Sequence, residues 1–314
     1  TVSYILAMEE ISKIDASCSV IMSVNNSLVC WGIEKYGTDE QKKKFLPELA
    51  SGKIIGAFCL SEPEAGSDAT SQKTTAKDMG DHYLLNGTKN WITNGSTASV
   101  YLVIAQTDIE KGHKGINAFI VEKSFDGVTI GPRENKLGIR SSDTTSIMFS
   151  DVVVPKENRI GDDGFGFKFA MKTLEGGRIG IAAQALGIAA GAYELSLKYA
   201  KERKAFGKEI IKHQAIAFKL ADMATEIDCG RLLCIKAGWQ KDNGIDYSQT
   251  GSMAKLYCAE KAMRITTEAV QIHGGYGFVK EYHVERLMRD AKITQIYEGT
   301  SEIQKIVISR SILK

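Results

Sequence analysis

The 314-residue sequence predicts an α+β fold in the order helical, β, helical. Residues 1–52 show a helical pattern. Between about residues 54 and 156, short segments rich in β-branched and aromatic residues alternate with clusters of Gly, Asn, Asp and Ser, which is typical of strands and turns. After Gly161 the helical period returns and no proline follows Pro155, so this part favours long helices.

The first part begins directly in an amphipathic helix with no start signal. We therefore expect a missing segment upstream of Thr1, and any targeting signal would lie in it. Thr38 and Gln41 have the spacing of a capping box. They predict a short helix that runs to Lys44 and is interrupted by Pro47.

Six apolar segments of the central part predict strands. Their spacing suits a compact antiparallel β domain better than alternating βαβ units. The segments are GAFCL (56–60), HYLLNG (82–87), KNWITN (89–94), VYLVIAQ (100–106), NAFIVEK (117–123) and SIMFSDVVV (146–154).

The last part predicts three long helices and a short final one. Gly274 and Gly275 predict the end of the third long helix, and Ser301 with Gln304 predicts the cap of the final helix. The long helices are predicted over Phe167 to about Lys201, His213 to about Gln240 and Ser252 to about Ile272. The residues predicted to share one face of the third are Met253, Leu256, Ala259, Met263 and Val270.

The composition excludes several classes of protein. A net charge of +2 gives no electrostatic case for nucleic acid, and no run of about 18 apolar residues predicts a membrane span. The six cysteines form no CxxC pair, so we expect buried free thiols in a reducing compartment. The sequence contains no close pair of histidines that would predict a metal site. The glycine-rich nucleotide-binding motifs and the Gly-x-Ser-x-Gly motif are also absent.

Eight motifs occur in one order along the chain: LSEPEAGSD (60–68), NWITN (90–94), KLGIRSSDT (136–144), LEGGRIGIAAQALGIA (174–189), ERKAFGK (202–208), QIHGGYGF (271–278), RDAKI (289–293) and IYEGTSEIQ (296–304). Together they resemble the acyl-CoA dehydrogenase family, and most closely its short-chain, butyryl-CoA-dehydrogenase-like members. The resemblance covers essentially the whole chain. The family has further N-terminal helices before the helix that starts at Thr1.

The resemblance implies an acyl-CoA dehydrogenase-like fold in three domains. Residues 1–52 correspond to the remainder of an N-terminal helical domain, 53–160 to a middle antiparallel β domain, and 161–314 to a C-terminal four-helix bundle. It further implies a flavin enzyme with FAD as cofactor and no metal. Such an enzyme forms a trans-2 double bond in an acyl-CoA thioester.

Glu298 is the catalytic base that the resemblance implies. It would take the α-proton while the β-hydrogen leaves as hydride to flavin N5, and burial against apolar groups would raise its pKa. Its backbone N–H, with a ribityl hydroxyl of the flavin, would donate to the thioester oxygen. Gly299 would allow close approach of substrate or an unusual φ. The alternative is that Glu298 and Glu302 only favour the dipole of the last helix.

A second position for the base, known in some branches of the family, is absent here. The matching residue is Gly177, which has no side chain. Glu175 lies two residues away on the predicted helix and therefore points to another face. The substrate-binding residues that the resemblance implies are Ser67, Glu175, Gly176, Gly177, Arg178 and Gly299. For Arg178, an ion pair on the helix surface is the alternative.

The resemblance also implies where FAD binds. The flavin side is expected at Phe58, Leu60, Ser61, Gly66, Ser67, Trp91, Ile92 and Thr93. The pyrophosphate and adenosine side, which a neighbouring subunit provides in the family, is expected at Arg203, Phe206, Gln214, Gln271, Ile272, His273, Gly274, Gly275, Thr300, Ser301 and Glu302. The alternatives are a polar turn for SEPEAGSD, β core for Trp91, a solvated basic turn for ERKAFG and a simple helix cap for HGG.

The resulting hypothesis is α,β-dehydrogenation of short-chain, or branched, acyl-CoA by a homotetramer, a dimer of dimers. An electron-transferring flavoprotein is the expected acceptor, and bacterial cytoplasm or mitochondrial matrix the expected compartment. Three alternatives stay open at this point. They are an acyl-CoA oxidase, a non-catalytic scaffold or nucleic-acid-binding relative, and a truncated chain that folds without flavin.

Overall fold

The computed structural model describes residues 1–313, and these form two compact units. The helical unit comprises Thr1–Val20, Lys136–Ser141 and the chain from Arg178 onward. The sheet unit comprises Ile21–Asn135 and Ser142–Gly177. The order of helical, β and helical segments is confirmed, whereas the division at residues 52 and 160 stays a prediction.

The sheet unit contains one eight-stranded sheet, with strand order β6-β7-β3-β2-β4-β5-β8 and β1 beside β4. All six predicted strand segments are present, and two of them join into the long strand β3. The strands are β1 (Gly56–Cys59), β2 (Thr75–Asp78), β3 (His82–Thr93), β4 (Val100–Gln106), β5 (Ile116–Glu122), β6 (Val128–Ile130), β7 (Thr144–Pro155) and β8 (Arg159–Ile160).

The sheet is not wholly antiparallel. β4 pairs in parallel with β1 over four residues and with β2 at Thr75, which corrects the prediction of a purely antiparallel domain. The remaining pairs in this sheet are antiparallel. Segment spacing indicates strands and turns, but it does not report which non-adjacent strands become neighbours.

Strand β4 is buried along its whole length because apolar residues cover both faces of the sheet. Tyr101 and Val103 belong to one hydrophobic core, together with residues of β3, β5 and β7. Leu102 and Ile104 belong to a second core, which includes Phe45 of an N-terminal helix. A strand buried on both faces has a continuous apolar sequence, which is what VYLVIAQ shows.

The N-terminal helices are α1 (Val2–Ile14), α2 (Ala16–Ser23), α3 (Trp31–Tyr36) and α4 (Asp39–Ser51), with a π-helical segment at Val24–Cys30. The capping box of Thr38 and Gln41 is confirmed. Pro47, however, lies inside α4 and does not interrupt it. Phe45 and Leu49 are buried on the same face, and this packing offsets the backbone hydrogen bond that proline removes.

The C-terminal part confirms the predicted helical domain. Its helices are α5 (Gly166–Glu202), α6 (Gln214–Asp242), α7 (Ser248–His273), α8 (Val284–Thr294) and α9 (Ser301–Ile312). A short hairpin, β9 (Lys204–Ala205) with β10 (Lys208–Glu209), joins α5 to α6. The residues of α5 up to Gly177 belong to the sheet unit, and those from Arg178 belong to the helical unit.

The buried face of α7 differs from the predicted one. Its fully buried residues include Lys255, Ala262 and Ile265, whereas Met253 and Leu256 are only half-buried. An apolar repeat predicts that one face of a helix is buried. In α7, many side chains are short, and this allows Lys255 to face inward. The helix ends at Gly274, which has φ 61, so the predicted glycine end is confirmed.

Helices α1 and α5 pack closely within the helical unit. A Cβ atom on Gly187 would lie 2.3 Å from the Glu9 carbonyl oxygen, and one on Gly191 would lie 2.4 Å from that of Lys13. Glycine is therefore required by the close approach of the two backbones at these positions.

Two of the motifs that carried the family resemblance meet in the helical unit. The Ile139 N–H donates to Asp290 Oδ1 (2.5 Å), and the Arg289 guanidinium donates to the Leu137 carbonyl (3.0 Å). Ile139 has φ 43, and the buried Asp290 holds this strained backbone in place. The segment at 136–141 is thus fixed by side chains about 150 residues later in the sequence.

Two helical segments, Ala16–Tyr36 and Gly166–Glu202, are long and apolar enough to cross a membrane by length and composition alone. Polar residues interrupt both segments, so neither contains an unbroken apolar run. Inside the structure 67% and 83% of their apolar windows are buried, as in core helices, so they are weak evidence for a span.

All six cysteines are free thiols. Cys59, Cys234 and Cys258 are buried as predicted, whereas Cys18 and Cys229 are exposed, which corrects the expectation that all would be buried.

Candidate active site

Glu298 lies in a strained turn between α8 and α9. Its φ is 54, and that of Gly299 is 85, so two consecutive residues adopt the left-handed region. The predicted unusual φ of Gly299 is confirmed, and a Cβ there would lie 2.8 Å from Gln304 Nε2. A glutamate at positive φ costs on the order of 1 kcal/mol and persists only where its surroundings impose it.

Three side chains impose this conformation. Gln304 Nε2 donates to the carbonyl oxygens of Glu298 (3.1 Å) and Gly299 (2.8 Å), and Lys255 Nζ donates to that of Gly299 (2.7 Å). The Thr300 hydroxyl accepts from the Ile303 N–H (3.3 Å) and caps α9. The turn is therefore held from the helix that follows it and from α7.

The predicted cap of the last helix is wrong in one residue. Thr300 is the cap, and Ser301 is the first residue of α9, where its hydroxyl donates to Glu260 Oε1 (2.6 Å). Gln304 does not return to the cap backbone, because its amide binds the turn carbonyls instead. Gln304, which was expected to complete a capping box, thus supports the Glu298 turn.

A carboxylate oxygen of Glu298 is buried, although the residue as a whole is only half-buried. Oε2 is out of contact with solvent and has no hydrogen-bond partner among the described residues. Burial raises the pKa of the Glu298 carboxyl to about 7, against the opposing positive charges of Arg178 and Lys255. A carboxylate with a pKa near neutrality and a free oxygen is suited to accept a proton from a bound molecule.

Tyr297, beside Glu298, is anchored to α5. Its hydroxyl donates to Gln184 Oε1, and the Gln184 amide donates in turn to the Ala16 carbonyl (2.8 Å) and to Ser19 Oγ (3.1 Å). Burial raises the pKa of the Tyr297 phenol, so the group stays neutral and acts as a donor. The turn is thus connected to α2 through the side chains of Tyr297 and Gln184.

The substrate-side residues of α5 separate into one half-buried residue, Glu175, and three buried ones. Glu175 forms an ion pair with Lys172 (3.0 Å), one turn earlier on the helix. Arg178 is 7% exposed and lies near Ser252 Oγ (3.4 Å), so the alternative of a surface ion pair is wrong for this residue. Gly176 and Gly177 are buried.

A cavity of about 560 Å³ lies at the C-terminal end of α7. Arg203 lines it, and its guanidinium lies 5.6 Å from the centre of the Tyr276 ring. His273 stacks on Tyr199 at 4.3 Å and donates through Nδ1 to the Ala269 carbonyl. The predicted lining residues here are Arg203, Ile272, His273, Gly274 and Gly275.

The lining of this cavity fits a phosphate-bearing cofactor. No atom lies within 4 Å of where a Cβ would stand on Gly274 or Gly275, so their backbones face open space. Burial lowers the pKa of the His273 imidazole, so Arg203 supplies the positive charge. An arginine fork beside exposed backbone is a common arrangement for pyrophosphate recognition.

Six residues predicted for the same cofactor lie outside the cavity lining. Phe206, at the tip of the β9–β10 hairpin, is 95% exposed with φ 52. Gln214 begins α6, and Gln271 is exposed on the last turn of α7. Thr300, Ser301 and Glu302 lie at the start of α9.

In the sheet unit, the predicted flavin residues occupy the end of β1 and the turn after it. Phe58 and Leu60 are half-buried, whereas Gly66 and Ser67 are exposed. A reciprocal backbone bridge between Glu62 and Ala65 closes the turn. The Ser61 carbonyl accepts from the Asn90 N–H (2.8 Å), which ties the turn to β3.

A buried ion pair fixes this turn further. Lys89 Nζ, with a fully buried side chain, donates to Glu62 Oε1 (2.7 Å) and to the Leu60 carbonyl (3.0 Å). Glu62 also accepts from the N–H groups of Lys73 and Thr74. The interpretation of SEPEAGSD as an ordinary polar turn is therefore incomplete.

Trp91 and its neighbours end strand β3. Trp91 is 63% exposed with φ 61, so the alternative that it is β core is wrong. Ile92 is buried and Thr93 is half-buried. Asp143 Oδ2 accepts from the N–H groups of Ser96 (2.9 Å) and Thr97 (2.8 Å), and so fixes the turn that follows.

Sequence reasoning missed the groups that support the base. Lys255 and Gln184 are far from position 298 in sequence, and Gln304 was assigned to a helix cap. In the cofactor cavity, Tyr199 and Tyr276 were not singled out. The one available signal was a lysine among the apolar residues of α7, since lysine is almost never fully buried without a partner.

Models of three domains of one enzyme family match this chain in the order helical, β and helical. A model of the acyl-CoA dehydrogenase N-terminal domain matches residues 1–53, that of the middle domain matches 57–152, and that of the C-terminal domain matches 164–313.

Two curated relatives match nearly the whole chain. The chain is 54% identical over 312 residues, 99% of its length and 82% of the relative's, to the short-chain-specific acyl-CoA dehydrogenase of Clostridium acetobutylicum. It is 50% identical, over 99% of its length and 76% of the relative's, to the mitochondrial short-chain-specific acyl-CoA dehydrogenase of Mus musculus.

Two solved structures have the same fold. Butyryl-CoA dehydrogenase from Megasphaera elsdenii superposes with a TM-score of 0.98 at 50% identity, over 99% of this chain and 82% of that one. A chain solved in work on the electron transferring flavoprotein of Acidaminococcus fermentans superposes with a TM-score of 0.98 at 52% identity, with the same coverage. Identity at this level over nearly its full length means that the chain belongs to the acyl-CoA dehydrogenase family of FAD-dependent enzymes.

Proposed function

We propose that the protein dehydrogenates short-chain acyl-CoA thioesters to trans-2-enoyl-CoA, with Glu298 as the base. The observation that carries this proposal is the buried carboxylate with one oxygen free of any partner. Its pKa of about 7, raised by burial, makes it an effective proton acceptor at neutral pH. The names of the short-chain relatives support the substrate class, and they give no support to an oxidase or a non-catalytic chain.

Glu298 Oε2 accepts the α-proton of the thioester. Charge then develops on the thioester oxygen, and the backbone N–H of Glu298 is the donor proposed for it. Because Lys255 and Gln304 hold the two carbonyls of the turn, this N–H does not reorient as charge develops. Arg178 and Lys255 favour the ionised carboxylate before the proton is taken.

FAD is the cofactor, and when bound it supplies the acceptor for the hydride that leaves the β-carbon. In the helical unit, we propose that Arg203 binds the pyrophosphate beside the backbones of Gly274 and Gly275, for FAD of a neighbouring subunit. In the sheet unit, the Phe58–Ser67 turn and residues Trp91 to Thr93 are proposed to contact the flavin.

In the helical unit, Arg178 and Gly299 are proposed to contact the substrate. In the sheet unit, Ser67 is proposed to contact it, and the buried Gly176 and Gly177 are proposed to leave room for the acyl chain. An electron-transferring flavoprotein is the proposed acceptor, supported by the context in which the Acidaminococcus chain was solved. The relatives include bacterial and mitochondrial enzymes, and either compartment is proposed for a homotetramer of this chain.

Steady-state kinetics on a series of straight and branched acyl-CoA thioesters, with a dye acceptor and flavin-loaded protein, tests this function. We expect the highest kcat/KM for short straight chains. Absence of turnover with every thioester would overturn the proposal. A preference for long or branched chains would overturn the assigned substrate class alone.

A further inference from the structure

Lys255 is a fully buried lysine in the middle of α7. Within residues 1–313 no carboxylate lies within ion-pair distance of its Nζ, although most buried lysines have such a partner. An ammonium removed from water is costly, so its surroundings must offset the cost. Its one direct hydrogen bond is to the Gly299 carbonyl, at 2.7 Å.

The Gly299 carbonyl is the group through which two helices hold the turn in place. It follows two residues with positive φ, and it receives hydrogen bonds from both Lys255 and Gln304. These two donors come from different helices, α7 and α9. The Glu298–Gly299 segment is therefore held between them, and the direction of the Glu298 side chain follows from this backbone.

The charged groups that face Lys255 come from each element packed around it. They are Glu298 on the turn, Arg178 on α5, Glu260 on α7 itself and Glu302 on α9. Glu260 is engaged by the Ser301 hydroxyl, and Glu302 is exposed. Burial lowers the pKa of the Lys255 ammonium to about 8, and Glu298 is the first of the charges that act against this.

We propose that Lys255 is a positioning residue for the reaction, which fixes the Gly299 carbonyl and, together with Arg178, supplies positive charge that keeps the Glu298 carboxylate available as a base. This role rests on the proposed function, because it acts through Glu298 and not on substrate. A lysine that only filled space would need neither a charge nor a donor at this carbonyl.

The test compares four variants of the flavin-loaded protein with the parent. Lys255→Met removes both charge and hydrogen bond, Lys255→Arg keeps the charge, and Gln304→Met removes hydrogen bonds to the same carbonyl without changing charge. Lys255→Gln, which keeps a polar donor and loses the charge, is measured as well, so that the result does not depend on the folding of the methionine variant.

The first measurement is an infrared titration of the Glu298 carboxylic acid band, identified by its loss in Glu298→Gln. It requires no turnover. We expect the midpoint to rise by about one pH unit in Lys255→Met and Lys255→Gln. In Lys255→Arg and Gln304→Met it should stay near that of the parent.

The second measurement is the pH dependence of kcat with a short acyl-CoA. The acid limb should move up by the same amount in the two charge-removing variants, with about a fivefold loss of kcat near pH 7. An unmoved midpoint in both charge-removing variants, or an equal shift in Gln304→Met, would overturn the inference. Absence of turnover in the parent would overturn the proposed function instead, and the infrared titration would still decide the role of Lys255.

Discussion

Glu298 combines two features that each cost stability. Its carboxylate is buried with one oxygen unpartnered, and its backbone lies at φ 54. Ordinary surface glutamates have neither feature. Such local costs are typical of functional sites, where the surrounding structure maintains a conformation that the residue alone does not favour.

The buried carboxyl predicts a pH-dependent stability. Because its folded pKa is raised from 4.5 to about 7 by burial, its contribution to stability is present below about pH 4.5 and is lost as pH rises through 7. Glu298→Gln should therefore be more stable than the parent at pH 8, by up to about 3 kcal/mol, and nearly equal to it at pH 5. Chemical denaturation at both pH values measures this difference. Glu281→Gln, at an exposed position, is the control and should show no such difference.

Arg203 provides a test of the cofactor site. Arg203→Ala should lose FAD on dialysis, because the guanidinium is the cationic group proposed for the pyrophosphate. Lys204→Ala removes the same charge from the adjacent, exposed residue and should retain FAD. Measurement of bound flavin absorbance before and after dialysis distinguishes the two. Equal retention by both variants would contradict the assignment.

Among single residues, the sequence predicted Glu298 and Gly299 but not the side chains that hold them in place. Glu298 and Gly299 are recognised from a contiguous motif, and the positive φ of Gly299 follows from the residue type. Lys255 is 44 residues before Gly299, and the contact between them depends on how α7 packs, which no local pattern reports. Gln304 was assigned to a cap because capping boxes and this turn use the same spacing.

Among the elements, the turn after β1 depends on one buried ion pair. Lys89 is the group that connects Glu62 and the Leu60 carbonyl to β3. Lys89→Met should destabilise the protein by about 3–5 kcal/mol, because it leaves the Glu62 carboxylate buried without its cation. Denaturant unfolding measures the loss.

The matched control for this prediction is Lys73→Met. Lys73 pairs with Glu64 on the surface, where such pairs contribute at most about 1 kcal/mol. A loss as small for Lys89→Met as for Lys73→Met would mean that the turn does not depend on the buried pair.

Element types were predicted better than the details of their packing. Strands and long helices follow from apolar period and from the distribution of proline. The continuation of α4 through Pro47 and the inward lysine of α7 follow instead from tertiary packing, which outweighs local preference. The parallel pairings of β4 follow from topology, which strand spacing does not contain.

For the whole molecule, the proposed assembly makes a specific prediction. If Arg203 serves FAD of a neighbouring subunit, then Glu298→Gln and Arg203→Ala subunits complement each other when they are co-expressed. Each mixed pair of subunits contains one site with both residues intact, so about a quarter of all sites should be active after random assembly. Assay of the purified mixed oligomer measures this recovery. No activity above that of either single variant would contradict a site shared between subunits.

The overall fold was predictable because eight motifs lie in register along the chain, and together they specify a known arrangement of domains. No single motif predicted that Phe206 is exposed, or which motifs contact each other. The contact of Ile139 with Asp290, for example, brings together residues 151 positions apart, and only the folded chain shows it.

The assignment of Glu298 as base is tested most directly by anaerobic mixing of flavin-loaded protein with butyryl-CoA. In the parent the flavin absorbance should bleach. Glu298→Gln should bind the same thioester, with bleaching slower by on the order of a thousandfold, because no other carboxylate is proposed to take the α-proton. Bleaching of the variant at the rate of the parent would contradict the assignment.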